Sequence, residues 1–184
     1  VIDDPDQQAD GKTILVNDVL KTLQELAKYH RGQLSIPVIA LTGSNGKTTT
    51  KELIASVLRT KFCVFATEGN LNNHIGVPLS LLSIERKHEI AIIEMGANHL
   101  NEIKFLSEIA QPDHGLITNI GKAHLEGFGG IAGVTKGKKE LYDYLGKTKG
   151  IVFLNSADPK LTEIKPDTTI YQYGGNAQVT GNIN

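Results

Sequence analysis

Apolar segments alternate with amphipathic segments along most of the chain. The run at 38–42 is almost continuously apolar, which is typical of a strand buried on both faces. Further strands are predicted at 62–66, 90–95, 115–119 and 150–154. Between them, apolar residues recur at helical spacing near 47–60, 77–84, 100–110 and 131–145. This alternation predicts right-handed crossovers and an α/β fold with a mostly parallel, three-layer sheet.

The N-terminal part of the chain departs from this pattern. Residues 1–16 begin with an acidic, polar stretch and are predicted to form a linker. Asn17 or Asp18 can cap a helix that follows, and Gly32 is expected to end it. We therefore expect residues 1–31 to be a linker and connecting helix that lead out of a preceding domain.

The C-terminal part also lacks the regular alternation. Residues 155–184 show only short strand signals, at 169–171 and 178–180, and no closing helix. Residues 32–184 are therefore expected to be an α/β domain that is truncated at its C-terminal end.

Composition and charge narrow the class of protein. The 184 residues are 40% apolar and 21% charged, which is ordinary for a globular protein, and the formal net charge is -1. Such a charge creates no overall field that would hold nucleic acid or an anionic membrane. No apolar run approaches the roughly 20 residues of a membrane-spanning helix. The single cysteine, Cys63, is expected to be a buried strand residue, and its isolation favours a reducing compartment, so we expect a cytoplasmic protein.

A glycine-rich loop joins the first predicted strand to the next helix. Glycines let backbone N–H groups approach a phosphate, while the helix N-terminus and a lysine ammonium attract its charge. The hydroxyl of Thr48 is a candidate ligand of Mg²⁺. The loop is shorter than the usual P-loop, and the alternative is a glycine turn that caps the helix with Lys47 solvated. The predicted phosphate site consists of Gly43, Ser44, Asn45, Gly46, Lys47, Thr48 and Thr49.

Two further residues follow predicted strands at the edge where ligands bind to parallel sheets. Glu94 ends the strand at 90–95, and its carboxylate would lie beside the phosphate loop as a Mg²⁺ ligand. The alternative is a glutamate that caps a helix or forms an ion pair. His124 comes after the strand at 115–119 and could bind a second cation or a phosphoryl oxygen, although a lone loop histidine is more often structural.

A lysine falls on the apolar side of the helix predicted at 131–145. At about 100° per residue, Lys138 lies roughly 20° from Ile131, within the apolar stripe of that helix. Burial lowers the pKa of an ammonium, and a neutral amine can react with carbon dioxide to give a metal-binding carbamate. Periodicity alone favours the alternative, a lysine whose stem covers apolar surface while its charge stays in water.

Three motifs together resemble the Mur ligases, the ATP-dependent amide ligases of peptidoglycan precursor synthesis. They are TGSNGKTT at 42–49, IEMGANH at 93–99, and TNIG at 118–121 with His124. The stretch GNLNNHIGVPL at 69–79 is similar to the branch that adds D-alanyl-D-alanine to a UDP-N-acetylmuramoyl-tripeptide. The family has a UDP-sugar domain, a central ATPase and a C-terminal domain. The resemblance covers only the central domain with its preceding helix.

This resemblance implies ATP and two Mg²⁺ ions as ligands. Lys47 and the loop amides would hold the β- and γ-phosphates, with Asn119 as a further nucleotide-binding residue. One Mg²⁺ would be bound by Thr48 and Glu94. The second would be bound by His124 and Lys138, which match the family's spacing of a metal-binding histidine and a carbamylated lysine.

The resemblance also assigns the catalytic and substrate residues. Lys47, His124 and carbamylated Lys138 would be catalytic, with the acceptor carboxylate attacking the γ-phosphate. The muramoyl-peptide would be faced by Asn72, Asn73 and His74, for which simple loop hydrogen bonding remains an alternative. The expected partners are the UDP-N-acetylmuramoyl-peptide and D-alanyl-D-alanine, with no nucleic acid, no membrane insertion and a monomeric state.

Several other functions fit parts of the sequence. A sister enzyme, such as another Mur ligase or a folylpolyglutamate synthase, shares the phosphate loop but not the stretch at 69–79. A GTPase or a P-loop kinase is less consistent, because the chain has no N-K-x-D motif and places none of its arginines in a phosphate-facing motif. A nucleotide-binding module without chemistry is what we expect of the isolated chain, which should bind ATP or ADP weakly and form no amide.

Overall fold

The computed structural model describes residues 1–9, 11–175 and 177. The strands are β1 (Val38–Thr42), β2 (Val64–Ala66), β3 (Ile90–Glu94), β4 (His114–Ile117), β5 (Ile151–Asn155) and β6 (Thr169–Tyr173). The helices are α1 (Val19–Gln33), α2 (Lys47–Leu58), α3 (Gly76–Leu82), α4 (Glu102–Ala110), α5 (Leu125–Phe128), α6 (Ile131–Thr148) and α7 (Pro159–Glu163). A short 3₁₀ helix, Pro5–Gln7, precedes them.

The six described strands form one sheet in the spatial order β2-β3-β1-β4-β5-β6, and every paired strand is parallel to its neighbour. Side chains on successive residues point to opposite faces, so β1 contributes Val38 and Ala40 to one core and Ile39 and Leu41 to the other. Both faces are buried along the central strands, which explains the continuous apolar runs. The predicted α/β fold with a parallel, three-layer sheet is confirmed.

The two faces of the sheet are covered unequally. On one face α3, α4 and α6 contact the strands, and α1 packs against α3 and α4. Among the described residues only α2 lies against the other face. Beside α2 this face opens into an apolar cavity of about 610 Å³ that is lined by Leu53, Val57, Leu116 and Phe153 among others. Leu53 and Val57 are 64% and 69% exposed, so the outer part of the predicted helical stripe is not buried.

Several local predictions need correction. Gly32 does not end α1, which continues to Gln33 and is capped at Leu34. Cys63 is exposed and precedes β2, whereas a buried strand residue was expected. A helix after Asp158 was missed, although Asp158 caps it and Pro159 opens it. The strand signal at 169–171 is confirmed as β6, and that at 178–180 lies outside the described residues.

None of the helices among the described residues combines the length and the apolar composition that a bilayer span requires.

Candidate active site

The loops that leave β1, β3 and β4 meet at the carboxyl end of the sheet. Leu41 is paired with Glu94, and Thr42 is paired with Ile117. These three strands therefore end at the same height, and the residues that follow them are neighbours. Parallel sheets bind their ligands at this end.

The phosphate loop begins with a glycine that no other residue can replace without a rearrangement. Gly43 has a φ of 146°, and a Cβ atom there would lie 1.9 Å from Oγ1 of Thr118. Gly46 has a φ of 75° and immediately precedes α2. The two glycines turn the chain sharply from β1 into α2, so that the N-terminus of α2 faces the rim of the sheet.

The segment after β4 holds the phosphate loop from one side. Asn119 accepts a hydrogen bond from the backbone N–H of Asn45 at 3.2 Å and donates one to its carbonyl at 3.0 Å. Thr118 Oγ1 also donates to the carbonyl of Asn45, at 2.7 Å. Ser44 and Gly121 exchange two hydrogen bonds, of 3.2 Å and 2.9 Å. In this structure Asn119, a predicted nucleotide-binding residue, is engaged in shaping the loop.

Lys47 is the first residue of α2 and is folded back over the loop. Its ammonium donates a hydrogen bond to the carbonyl of Gly43 at 2.9 Å. Burial lowers the pKa of Lys47, and the nearby charge of Glu94 opposes this shift. The ammonium therefore lies inside the loop, where the terminal phosphates of a nucleotide would meet it.

Glu94 is a buried carboxylate with one oxygen left over. The residue is 1% exposed. Its Oε1 lies 3.4 Å from the hydroxyl of Thr48 and accepts a hydrogen bond from Nδ2 of Asn72 at 2.8 Å. Its Oε2 is buried and has no hydrogen-bond partner among the described residues. Such an atom is costly unless something binds it, and a hard cation such as Mg²⁺ suits two adjacent oxygen ligands.

Lys138 lies beneath the cavity rather than at its surface. It is 1% exposed, and its ammonium lies 3.4 Å from the carbonyl of Ala97 and 5.3 Å from the ring centroid of Phe128. Burial, together with the charge of Lys47, lowers the pKa of Lys138 to about 8. Lys138 is therefore buried on the apolar side of α6, whereas periodicity alone favours a lysine that only covers apolar surface. The alternative, in which the charge stays in water, is wrong.

His124 and the predicted substrate residues line one cavity with Lys47. The cavity has a volume of about 380 Å³, and Asn72, Asn73 and His74 form part of its wall. His124 is exposed and has a φ of 55°, which turns the chain into α5. Oδ1 of Asn73 accepts the backbone N–H groups of residues 75 and 76, so this atom caps α3.

The cavity also contains residues that the sequence did not single out. Asn98, Glu102 and Phe105 complete its outer wall. Although burial acts to raise the pKa of Glu102, hydrogen bonds from the backbone N–H groups of Asn98 and His99 and from the His99 side chain lower it overall. The sequence signal for these hydrogen bonds is the position of Glu102, an acidic residue in the first turn of α4.

The acidic and histidine residues near the rim do not form a ready-made metal cage. Among the described residues, no three His, Cys, Asp or Glu side chains converge. A cation at Glu94 would therefore complete its ligand set with the Thr48 hydroxyl, water or phosphate oxygens. This composition is the usual one for Mg²⁺ at nucleotide sites.

Sequence comparisons identify relatives for this arrangement. The family described as Mur ligase middle domain matches residues 41–183. The UDP-N-acetylmuramoyl-tripeptide–D-alanyl-D-alanine ligase of Haemophilus influenzae is 47% identical over 147 residues, covering 78% of this chain and 32% of that protein. The ligase of the same name from Bacillus subtilis is 43% identical over 157 residues, covering 85% and 34%. The chain thus spans about a third of the length of these relatives.

Solved structures agree with the sequence comparisons. MurF from Acinetobacter baumannii superposes with a TM-score of 0.85 and 38% identity, covering 95% of this chain and 40% of that one. MurF from Thermotoga maritima, solved in complex with ADP, superposes with a TM-score of 0.82 and 35% identity, covering 93% of this chain and 40% of that one. A folylpolyglutamate synthase from Mycobacterium tuberculosis, at 0.63 and 14% identity, shares the fold alone. The chain therefore belongs to the Mur ligase family, whose middle domain its residues 41–183 match.

Proposed function

We propose that this chain is the ATP-binding part of a cytoplasmic ligase that joins D-alanyl-D-alanine to a UDP-N-acetylmuramoyl-tripeptide. The names of its relatives support this activity, since ligases of that name match at 36–47% identity. The stretch at 69–79, which lies partly in the cavity wall, supports the same branch of the family. Because the chain covers a third of these relatives, the activity is proposed for a longer protein that contains it.

The observation on which the proposal chiefly rests is the position of Glu94. A buried carboxylate, one of whose oxygens has no hydrogen-bond partner in the part of the chain that the structure describes, lies 3.4 Å from the Thr48 hydroxyl, at the start of the helix that follows the phosphate loop. A purely structural glutamate would have both oxygens satisfied. We propose that Thr48 and Glu94 hold one Mg²⁺ and that His124 and carbamylated Lys138 hold a second. Bound Mg²⁺ would supply positive charge against the negative charge of a triphosphate and a carboxylate.

The surroundings of Lys138 support its proposed carbamylation. Two ammonium groups, those of Lys47 and Lys138, repel each other across a buried region. With a pKa of about 8, Lys138 has an accessible neutral form, whose nitrogen can attack the carbon of carbon dioxide and release a proton. The product is a carbamate anion. This replaces the repulsion between two cations with attraction and creates oxygen ligands beside the cavity.

The proposed reaction uses the phosphate loop to bring two anions together. The loop amides and Lys47 bind the β- and γ-phosphates of ATP, and the cavity between Lys47 and His74 receives the terminal carboxylate of the acceptor peptide. A carboxylate oxygen attacks the γ-phosphorus, the bond to the β,γ-bridging oxygen breaks, and ADP leaves. The amine of the dipeptide then attacks the acyl phosphate, phosphate leaves, and a proton is lost as the amide forms.

The residues that line the cavity and the residue that shapes the phosphate loop have different proposed roles. Asn73 and His74 line the cavity and are proposed to contact the acceptor peptide. Asn72 also lines it, but its amide donates to Glu94, so we propose that it touches the acceptor while orienting this carboxylate. Asn119 is proposed to act on the nucleotide through the loop that it shapes. We further propose a monomer without nucleic-acid or membrane partners.

Nucleotide binding by the 184-residue chain is the first test. We expect the chain to bind ADP in the presence of Mg²⁺ by isothermal titration calorimetry. Glu94→Gln should weaken Mg²⁺-dependent binding about tenfold or more, because it removes a charged ligand. Glu163→Gln, an exposed control with the same chemical change, should have no effect. The absence of any Mg²⁺-dependent nucleotide binding by the wild-type chain would contradict the proposal.

The reaction itself is tested in a longer protein that contains this chain. ADP release should require both the UDP-N-acetylmuramoyl-tripeptide and D-alanyl-D-alanine, and glutamate should not replace the dipeptide. Dependence on glutamate and a folate acceptor would instead identify a sister ligase. The 184-residue chain alone should form no amide, and dipeptide-dependent ADP release from it would contradict that expectation.

A further inference from the structure

A buried lysine lies one turn beyond the phosphate loop and takes no part in the proposed binding of phosphate. Lys51 follows Lys47 by four residues on α2, and it is 0% exposed. Its ammonium donates a hydrogen bond to the carbonyl of Thr67 and lies 3.1 Å from the carboxylate of Glu52. A buried ammonium is tolerated only where it is paired and hydrogen-bonded. These contacts therefore fix Lys51 against the residue that follows β2.

Thr67 connects this lysine to the neighbouring strand. It is 1% exposed, and its backbone N–H donates to the carbonyl of Ile92 at 3.0 Å. Its hydroxyl accepts a hydrogen bond from the backbone N–H of Glu94 at 3.0 Å and lies 3.4 Å from the Ile92 carbonyl. Thr67 thus binds Lys51 with its carbonyl and Glu94 with its hydroxyl.

These hydrogen bonds link α2 to β3, the two elements that bear the proposed metal ligands. Thr48 lies on α2 and Glu94 on β3, and their side chains approach to 3.4 Å. Lys51, three residues after Thr48, is tied through Thr67 to the backbone of Glu94. Outer-shell partners of this kind commonly set the orientation of the ligands that touch a metal.

We propose that Lys51 and Thr67 are positioning residues that hold the Glu94 carboxylate against Thr48, so that binding of Mg²⁺ with a nucleotide depends on them although they touch neither. This inference rests on the proposed function. It assigns a role to two residues outside the phosphate loop and outside the cavity.

The hydroxyl of Thr67 is the group to remove first. Thr67→Val keeps the shape of the side chain but leaves the Glu94 backbone N–H without its acceptor. We expect the Mg²⁺ concentration for half-maximal ADP binding to rise about tenfold. Binding of ADP in excess EDTA should stay within about twofold of the wild type, since the amides and Lys47 are unchanged. Thr67→Ser, which keeps the hydroxyl, should restore the Mg²⁺ dependence.

A variant of Lys51 and a control variant at a distant residue are tested in the same way. Lys51→Met should raise the Mg²⁺ requirement in the same direction, and should also lower the melting temperature because the cross-link to the end of β2 is lost. Thr60→Val makes the same chemical change as Thr67→Val at an exposed site beyond the end of α2, and it should alter neither quantity. Circular dichroism melting of every variant separates folding from binding.

The outcomes distinguish this inference from the proposed function. If Thr67→Val binds ADP with the wild-type Mg²⁺ dependence, or loses affinity equally with Mg²⁺ and with EDTA, the positioning role is overturned while the proposed function stands. If the wild-type chain shows no Mg²⁺-dependent binding of ADP, both are overturned. A tenfold shift confined to the Mg²⁺ dependence, reversed in Thr67→Ser, supports the inference.

Discussion

Gly43 and Thr118 are in such close contact that a single methyl group cannot fit between them. A Cβ atom on residue 43 would lie 1.9 Å from Oγ1 of Thr118 and 3.1 Å from its backbone nitrogen. The Thr118 hydroxyl cannot simply turn away, because it donates to the carbonyl of Asn45 in the same loop. The first residue of the phosphate loop is thus fixed by the residue that follows β4.

Gly43→Ala should therefore distort the loop. We expect the free energy of unfolding to fall by about 2–4 kcal/mol and the affinity for ADP with Mg²⁺ to fall more than tenfold, from the clash and from the positive φ. Urea denaturation and calorimetry measure the two quantities. Gly129→Ala is the matched control, because Gly129 also has a positive φ but no atom of another described part of the chain lies within 4 Å of the added methyl group. It should cost only about 1–2 kcal/mol. Equal effects at both positions would contradict the explanation.

A second relationship connects α6 to the start of α4. The carboxylate of Glu140 accepts the backbone N–H of Asn101 at 2.7 Å and that of Lys104 at 2.9 Å. Asn101 provides no side-chain cap of its own. Glu140→Ala should lower the free energy of unfolding by about 1–3 kcal/mol, since helix-terminal N–H groups lose charged acceptors. The free energy of unfolding of Glu140→Gln should lie between that of Glu140→Ala and that of the wild type. Glu163→Ala, at an exposed residue, is the control. A loss below that of Glu163→Ala would contradict the capping role.

The pKa of Lys138 predicts how stability changes with pH. Below about pH 8 both the native and the unfolded chain keep the proton on Lys138, and the cost of burying the charge is fully present. Between about pH 8 and the unfolded pKa of about 10.4, only the unfolded chain keeps it, so stability increases as pH rises. We expect a gain of about 1–3 kcal/mol from this residue in carbon dioxide-free buffer.

The variant Lys138→Met isolates this contribution. It should be more stable than the wild type near pH 7 and should lack this part of the increase with pH, whereas the exposed Lys136→Met should retain it. Urea denaturation at a series of pH values gives the difference. A parallel pH profile for Lys138→Met and wild type would show that the lysine is not buried as a cation. Adding ¹³C-bicarbonate should give a carbamate signal in ¹³C NMR that is absent from Lys138→Met.

The exposed apolar residues of α2 are expected to tolerate substitution by polar residues, although they recur at the spacing of a buried helical stripe. Leu53 and Val57 line the cavity beside α2 but remain largely in solvent, whereas Ala55 between them is 0% exposed. Lysine at position 53 or 57 should change the free energy of unfolding of this chain by less than about 0.5 kcal/mol and should reduce binding of a hydrophobic dye. Ala55→Lys should cost more than about 4 kcal/mol because it buries an unpaired charge. Comparable losses at positions 53 and 55 would be inconsistent with this surface.

Periodicity was enough to predict most of the fold and part of the site. Continuous apolar runs marked the buried strands, and the helical stripe placed Lys138 on the buried side of α6. What periodicity could not supply was the partner of each side chain across the sheet. Asn72 is remote from Glu94 in the chain, and the 2.8 Å contact between them arises only because the two strands and their loops meet at one rim. For the same reason, the pattern gives no sign that Lys51 is buried and donates a hydrogen bond to the carbonyl of Thr67.

Two further features, the end of α1 and the exposure of Leu53, could not be predicted from the sequence for other reasons. Glycine is a common helix terminator, but α1 continues one residue beyond Gly32, and in its last turn Arg31 donates hydrogen bonds to the carbonyl of Ala110 and the carboxylate of Asp113. Tertiary contacts therefore outweighed the local preference. Leu53 is exposed because, within the described ranges of the chain, α2 alone covers that face of the sheet. A periodic pattern cannot reveal whether a partner for the apolar side of a helix is present.

The paired hydrogen bonds between Ser44 and Gly121 have a mechanical consequence. They join the phosphate loop to the segment that ends, three residues later, in His124. While these two hydrogen bonds persist, a shift of the loop would move this segment with it, and a restraint on the segment would resist movement of the loop. A coupling between a ligand on the loop and one at the histidine would have equal strength in both directions.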